Sequence, residues 1–597
     1  MTYRICRTFA SDRRWWLAGV TLTLLLIAAS RIVQLNTLQM DGDDIWSIWQ
    51  TFGSPLDIIR WTPPDWPPLY FLSLGAWKEL AGIQPIVLRF GSALVFLIGV
   101  ACLYRLVRRL WGERAALAVI LAYSAFGFVL YLSLFIRAYV FLLTLTPLVF
   151  WMAIRYFDCP SARRAIWLAL GMAAMFYSHY TSLFLLGLLG LYTLAVYPRQ
   201  VWRWWLPGLM LAAVTVPHLI AKREAFATRT IVYQGLQLAP LPEALLNLAT
   251  TFAGPAFLWL ALLFAAATVL IVARRAFNPQ VFVLAIWVLM PVAVYLLQNR
   301  LGLFQSPKYL WWVLPGLALW IGWGVSRLPR TAYRLVSASL VGVMFLPNAL
   351  EARQPALQFD TSFKLLRQYL RAGDVVMLDP RCQCSDTESW DYFMRLYFPN
   401  GLPFVTDPVG HPRIWYVERS WDKDEKLEQS VANGRIAGVF FGPPTLLFRL
   451  YEGPPDPKGI LFENGMRFHG ATVDGVASPD GVAFHAGETV RLKLWWSVDQ
   501  PIKLDYSLGV YLLIDGAVGA EVNGPPQAAD GPKETSRWLP GRYYVDERAL
   551  TLPARMYGQA YPLYMAVYQW WDNARIAAPG VDGSKLLTIT SISIHAW

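Results

Sequence analysis

Charge is scarce in this sequence. Only 15% of the 597 residues are Asp, Glu, Lys or Arg, against 56% that are hydrophobic, and the mean hydropathy is +0.38. A water-soluble chain of this length needs more ionised surface than that, which excludes an ordinary soluble enzyme and points to a membrane protein. Cysteine is scarcer still: the five residues Cys6, Cys102, Cys159, Cys382 and Cys384 do not make a disulfide framework. The first three fall in or beside apolar runs. The C-x-C pair Cys382/Cys384 is a poor zinc signature alone, and free thiols or a redox pair fit it equally. Acidic residues are outnumbered 40 to 52, for a net charge of +12. That excess is not a nucleic-acid footprint, because the basic residues sit in short clusters between apolar runs, as they do in the cytoplasmic turns of membrane proteins. Internal repeats and low-complexity linkers are lacking too. Trp and Tyr, by contrast, are plentiful at 28 each, which suits interfacial belts and sugar-stacking surfaces alike.

Apolar windows long enough to cross a hydrocarbon core of about 30 Å fall near 15–35, 86–107, 114–133, 138–155, 165–180, 181–197, 204–221, 251–273, 279–297, 308–326 and 333–350. The expected fold class is therefore a polytopic α-helical membrane protein of about eleven transmembrane helices over residues 1–350. The first window follows Arg13 and Arg14 and lacks a small-residue cleavage site, so it reads as a retained anchor. Arginines mark one set of turns: Arg105, Arg108 and Arg109; Arg155, Arg163 and Arg164; Arg199 and Arg203; Arg274 and Arg275; Arg327, Arg330 and Arg334. That side, with the N-terminus, is expected in the cytoplasm of a cell's inner (plasma) membrane. The loop 36–85, the turns near Arg137, His179, Lys222 and Lys308, and the C-terminal half then lie on the periplasmic or extracellular face.

After about Ala349 the apolar runs shorten and charges of both signs return. Helix-like and strand-like stretches alternate through "TSFKLLRQYLRAG", "DVVMLD", "ESWDYFMRLYF", "RIWYVE" and "AGVFFG", which predicts a small α/β domain over 351–460. From 461 to 597 short alternating strands such as "VRLKLWWSV", "YSLGVYLLID", "YPLYMAVYQWW" and "LLTITSISI", separated by Gly, Pro and Asp, predict a β-sandwich.

The most informative stretch is "MDGDDIWSIWQ" at Met40, where Asp41, Asp43 and Asp44 crowd together close to lipid. One carboxylate there can cap the helix that starts near Ile45. Three exceed what a cap needs, and acidic groups at membrane depth point to function, as a general base or as ligands of a divalent cation. The same loop holds two amphipathic segments, "DIWSIWQTFGSPLDIIRW" and "LYFLSLGAWKEL", whose Trp46, Trp49, Trp61 and Trp77 are expected at headgroup level. Between them "TPPDWPPLY" carries Asp65, Trp66 and Tyr70 on a proline-stiffened path. Cations come from other external turns: Arg137 in "SLFIRAYVFLL" and Lys308 in "QSPKYLWWVLPG", each followed by a tyrosine, Tyr139 and Tyr309. A single such cation snorkels to headgroups; two with neighbouring tyrosines suit an anionic headgroup such as a lipid phosphate. His179 and Tyr180 in "FYSHYTSLF" mark a further external turn.

In order along residues 15–350, the acid pair after the first span, the "PPLY" segment, the "R-x-Y" turn, the "HY" turn and the late "KY…P" turn resemble the GT-C superfamily of membrane glycosyltransferases, in particular its protein O-mannosyltransferase and aminoarabinose transferase group. The resemblance implies a polyprenyl-phosphate sugar donor, with Asp43 as base toward an acceptor hydroxyl and Asp44 as the second acid. It also implies Arg137 and Lys308 near the donor phosphate. Tyr139 and Tyr309, each close behind one of those cations, are expected with them, and Asp65, Tyr70, His179 and Tyr180 are candidate substrate contacts, Asp65 as a substitute for a family residue missing here. Two departures stand out: the family's usual His before "PPLY" is Trp66 here, and its usual Glu two positions before the R-x-Y arginine is Phe135.

The expected function is inverting transfer of a sugar to a hydroxyl on a glycan, lipid or protein acceptor. Mg2+ or Mn2+ held by Asp43 and Asp44, with Asp41 and Asp65, is an optional addition, and exposed pairs such as Trp495–Trp496 or Trp570–Trp571 are candidates to stack on sugar rings. Two other classes fit parts of the pattern. A lipid-linked sugar flippase needs the groove and the cations but not a one-sided acid cluster. A non-catalytic receptor needs only a glycan-binding sandwich.

Overall fold

The computed structural model describes residues 10–36, 40–63, 66–224, 239–274, 276, 278–297, 303–346, 358–473, 483–527, 531–579, 581 and 583–595. Two compact units divide the chain, Met1–Leu357 and Gln358–Trp597.

The first unit is helical. Its elements are α1 (Ala10–Val33), α2 (Gly42–Trp49), α3 (Pro55–Trp61), α4 (Leu69–Ala81), α5 (Pro85–Trp111), α6 (Glu113–Ala125), α7 (Gly127–Leu134), α8 (Tyr139–Asp158), α9 (Ala162–Ser178), α10 (Ser182–Val196), α11 (Trp205–Ala221), α12 (Leu241–Ala253), α13 (Phe257–Ala273), α14 (Pro279–Leu296), α15 (Leu314–Ser326) and α16 (Arg330–Val343). Boundaries follow local chemistry. Ser54 caps α3 in a reciprocal pair with Asp57, Pro85 and Pro279 open α5 and α14, and Gly112 ends α5 at φ 87°, a conformation that favours glycine.

Helix is found at every one of the eleven expected spans, but among the described residues only six segments are long and apolar enough to cross a membrane. They are Trp16–Val33, Pro85–Trp111, Tyr139–Asp158, Pro198–Ala221, Leu241–Ala273 and Pro279–Leu296. The count reaches seven if α6 and α7, bent by 74° at Phe126, are one broken span. The remaining expected spans are shortened for visible reasons. A turn at 179–181 divides α9 from α10 after 17 and 15 residues. The segment 308–326 begins as a 3-10 turn, Pro307–Val313, before α15. Only 14 residues of 333–350 and its lead-in form α16, and 347–350 lie outside the described residues.

Two glycines fix the lateral packing of α15. A Cβ at Gly322 would stand 2.6 Å from the Val119 Cα of α6, and one at Gly324 would stand 2.6 Å from the Ala267 Cα of α13. Backbones approach this closely only where no side chain intervenes.

The second unit opens with α17 (Gln358–Tyr369), β1 (Val375–Leu378), α18 (Glu388–Tyr397), β2 (Arg413–Glu418), α19 (Glu425–Ala432), β3 (Ile436–Phe441) and β4 (Leu447–Glu452). These strands form one mixed sheet in the order β1-β2-β4-β3, with β1 parallel to β2. Its burial is uneven: β2 is almost wholly buried, whereas the edge strand β3 exposes Ala437 to Phe440. Cys382 and Cys384 are disulfide-bonded to each other across Gln383. The rest is a sandwich of two sheets, β10-β9-β12-β13-β7 and β11-β8-β6-β5. Its strands are β5 (Ile460–Leu461), β6 (Met466–Val473), β7 (Ala483–Phe484), β8 (Thr489–Val498), β9 (Tyr506–Ile514), β10 (Ala517–Gly524), β11 (Tyr544–Thr551), β12 (Ala560–Gln569) and β13 (Leu587–Ile594). Alternation along β8 sends Leu492, Leu494, Trp496 and Val498 into the core. Trp496 is therefore interior and Trp495, 2% exposed, is covered too, so this pair is not the open stacking surface expected from sequence. Trp570 and Trp571 are exposed, at 66% and 48%.

Candidate functional site

The three aspartates divide their labour at the start of α2. Asp41 is the N-cap: its Oδ1 accepts from the backbone N–H of Asp43 at 2.6 Å and of Asp44 at 3.1 Å. The Asp44 carboxylate reaches back to the Asp41 N–H, completing a capping box. Asp44 is buried, accepts the Ile136 N–H at 2.8 Å, and pairs with Arg89 of α5 at 3.4 Å. Arg89 also donates to the Leu35 carbonyl at 3.3 Å, so one guanidinium ties the end of α1, the start of α2 and α5 together. Two of the three acids thus do architectural work, and Asp43 is left to project from the first turn.

Asp43 faces cations from two distant turns. One carboxylate oxygen bonds Arg137, from the turn between α7 and α8. The other accepts from Lys308 Nζ, in the 3-10 turn before α15, at 2.8 Å. Lys308 is also 3.5 Å from Asp41, whose free oxygen accepts from the Tyr131 hydroxyl at 3.3 Å. Arg137 is held between the rings of Trp46 and Trp66, each 4.9 Å from its guanidinium carbon. Its Nε and Nη1 have no partner among the described residues. Lys308 lies over Phe135 at 4.6 Å, so the ring at the family's glutamate position supports the ammonium by cation–π contact.

Burial and the neighbouring charges move the two central acids in opposite directions. Burial raises the Asp43 carboxyl, and Arg137 and Lys308 outweigh it, holding the group below its ordinary value. Asp44 is raised to about 6, because burial dominates and Asp41 adds repulsion that Arg89 only partly offsets. Asp43 is thus a carboxylate at neutral pH, the state a base requires.

Tyr70 is buried, with a hydroxyl that has no partner among the described residues and is kept protonated by burial and by the negative charge of Asp44. His179 stands edge-on to Trp66 at 5.4 Å and near Tyr139 at 5.5 Å and Tyr309 at 6.5 Å, joining the aromatic wall of the site. Its Nδ1 accepts from the Thr181 N–H at 3.2 Å. Tyr180 belongs elsewhere: its hydroxyl bonds His218 Nε2 at 2.7 Å. Asp65 lies outside the described residues.

Residues 65–221 match the family model of dolichyl-phosphate-mannose-protein mannosyltransferases. Two crystal structures of ArnT from Cupriavidus metallidurans align over 73% of this chain and 98% of theirs, at 15% identity, one in the apo state with a TM-score of 0.49 and one bound to undecaprenyl phosphate with a TM-score of 0.50. The chain has the GT-C fold. No curated protein sequence matches it.

Within this GT-C unit, sequence reading missed Arg89, which looks like any cation at the head of an apolar run. It also missed that Trp46 and Trp66 grip Arg137, where headgroup contact was expected for Trp46. Of the expected metal ligands Asp65 lies outside the described residues, and among the described residues no three His, Cys, Asp or Glu gather to hold an ion. The oxygens of Asp41, Asp43 and Asp44 are met by ammonium, guanidinium, hydroxyl and amide donors. Such surroundings stabilise a carboxylate without Mg2+ or Mn2+, so no chemical step is routed through a metal.

Proposed function

We propose that the chain transfers a sugar from a polyprenyl-phosphate donor to a hydroxyl acceptor on the extracytoplasmic side of the inner membrane. The observation that carries this reading is the single ion cluster in which Asp43 meets Arg137 and Lys308, brought from turns 94 and 265 residues away. At rest the carboxylate occupies both cations. A phosphate with more negative charge competes for them, aided by the open Nε and Nη1 donors of Arg137, and frees Asp43. The carboxylate then takes the acceptor O–H proton as the acceptor oxygen attacks the anomeric carbon. The bond from that carbon to the phosphate oxygen breaks, and polyprenyl phosphate leaves with its electron pair, with inversion at the sugar. Arg137 and Lys308 stabilise the charge growing on the leaving phosphate from fixed positions, where such stabilisation is strongest.

Two further observations support a lipid donor. A cavity of about 240 Å3, lined mostly by apolar side chains such as Leu248, Phe304 and Leu310 with Asn247 and Thr251 among them, suits an apolar chain. ArnT from Cupriavidus metallidurans, of the same fold, has been crystallised with undecaprenyl phosphate. The arginine-rich turns support a cytoplasmic N-terminus, with α2 on the opposite face. The test is incubation of the purified chain in nanodiscs with a synthetic polyprenyl-phosphate sugar. Release of free polyprenyl phosphate on thin-layer chromatography is expected. Translocation of intact donor without release refutes transfer and leaves a flippase.

A further inference from the structure

One cavity of the second unit has no part in the ion cluster of the first. It has a volume of about 710 Å3 and opens between the edge strand β3 of the mixed sheet and the outer face of β8 and β11 in the sandwich. That is the size range of small-ligand sites, about 300–1,000 Å3.

Its walls have a definite chemistry. On the sandwich side the register pairs Trp495 with Val545 and Lys493 with Glu547, so these side chains share the face turned away from the sandwich core. Tyr543 lies just beyond, half-buried, with its ring set edge-on to His469 at 4.9 Å and to Trp495 at 6.4 Å. The ring is thereby fixed in orientation before any ligand arrives. Lys493 Nζ lies 3.5 Å from Glu547 and 3.8 Å from Glu452, attractive distances that fall outside the usual hydrogen-bond range. Glu452, from β4 across the cleft, is held by Arg413 and Arg371, and Lys493 and Glu547 therefore keep a donor and acceptors to offer along the sandwich wall. Opposite them is the exposed backbone of β3, where the ladder to β4 skips from Ala437 to Phe440 and leaves Gly438 and Val439 out of register.

Three ligand classes can be weighed. A nucleic acid or other polyanion would meet a carboxylate on each wall, Glu547 and Glu452. Arg435 of the lining is already committed to the carbonyls of Pro408 and His411, so the mixed lining of Lys493, Arg435, Arg542 and the two glutamates does not form the basic track such a ligand needs. A polypeptide added as a strand needs a regular edge, and a bulge in β3 interrupts that edge, a device that blunts strand addition. A saccharide needs a fixed aromatic ring for its C–H face and a row of mixed donors and acceptors for its hydroxyls, which is what the walls supply. We infer that this cleft binds an oligosaccharide of low net charge, and that the acceptor of the proposed transfer is accordingly a glycan. The second half of that inference rests on the transferase reading; the first does not.

The experiment uses the full chain in nanodiscs on a printed array of neutral and acidic oligosaccharides, with extended peptides as a second panel. Wild type is expected to retain neutral saccharides. Tyr543→Ala and Lys493→Ala should each weaken retention by about tenfold, while Tyr543→Phe, which keeps the ring, should bind as wild type does. Unchanged thermal unfolding of each variant separates lost contacts from lost folding. Absence of saccharide binding, equal binding by Tyr543→Ala, or selective binding of the peptides overturns the inference. Saccharide binding that follows Tyr543, in a protein that releases no polyprenyl phosphate, upholds the cleft and refutes the transferase; release of polyprenyl phosphate with no saccharide retained does the reverse.

Discussion

Replacing Asp43 by Asn separates its chemistry from its architecture. The backbone at the start of α2 is held by Asp41 and Asp44, not by the Asp43 side chain. Lys308 keeps Asp41 at 3.5 Å, and Arg137 keeps its two indole faces. The variant should fold. It loses the proton acceptor, a contribution of about 10²–10⁴ in rate, or about 3–5 kcal/mol of barrier at 1.36 kcal/mol per decade. Donor binding should hold or tighten, because an amide no longer competes with phosphate for the two cations. Single-turnover release of polyprenyl phosphate and a separate donor-binding titration measure the two effects independently. Turnover within about threefold of wild type, against the decades a lost base costs, removes Asp43 from the role of base. A large loss of donor affinity with the catalytic step intact removes the competition between carboxylate and phosphate.

Arg89→Met should destabilise the helical unit by about 3–5 kcal/mol, since it strands a buried carboxylate, and Arg89→Met with Asp44→Asn should recover much of the loss; thermal melts of the detergent-solubilised chain read both. The two acids should also give stability opposite pH dependences. Asp44, raised from 3.8 to about 6, holds a proton in the folded state that the unfolded chain releases, so its contribution is present at the acid end and fades as pH rises through 6. Asp43, held below 3.8, contributes above the unfolded carboxylate value, and that contribution is lost as pH falls through its folded value; melting profiles of Asp43→Asn and Asp44→Asn against wild type isolate each slope. Transfer should persist in EDTA, because the carboxylates are met by protein donors, and activity that vanishes in EDTA and returns with Mn2+ contradicts that account.

What could be read from sequence was whatever depends on local pattern. The strands Thr489–Val498, Tyr506–Ile514, Ala560–Gln569 and Leu587–Ile594 are visible because alternation with turn residues is a short-range signal. Asp43, Arg137 and Lys308 were legible because each sits in a turn beside an apolar run, in an order that resembles the family's. What was not legible depends on packing between distant segments. Arg89 is ordinary in sequence and distinctive only because Leu35 and Asp44 converge on it. The break at Phe126 follows no proline or glycine run that a periodicity count would catch. Trp495 and Trp496 read as a surface pair, yet Trp496 faces the sandwich core and Trp495 is covered within the sandwich wall of the cleft.

The two glycines of α15 have a consequence for how this protein can change over time. Lys308 rides on the segment that leads into α15, and Arg137 follows the helix pair that starts with α6. The close approach of Gly322 to Val119 joins those two carriers well away from either cation. Even an alanine at 322 would force α15 and α6 apart at this crossing. The seating of α15 against α6 therefore depends on a residue with no side chain, and lineages that diverge freely around the ion cluster are expected to hold position 322 fixed.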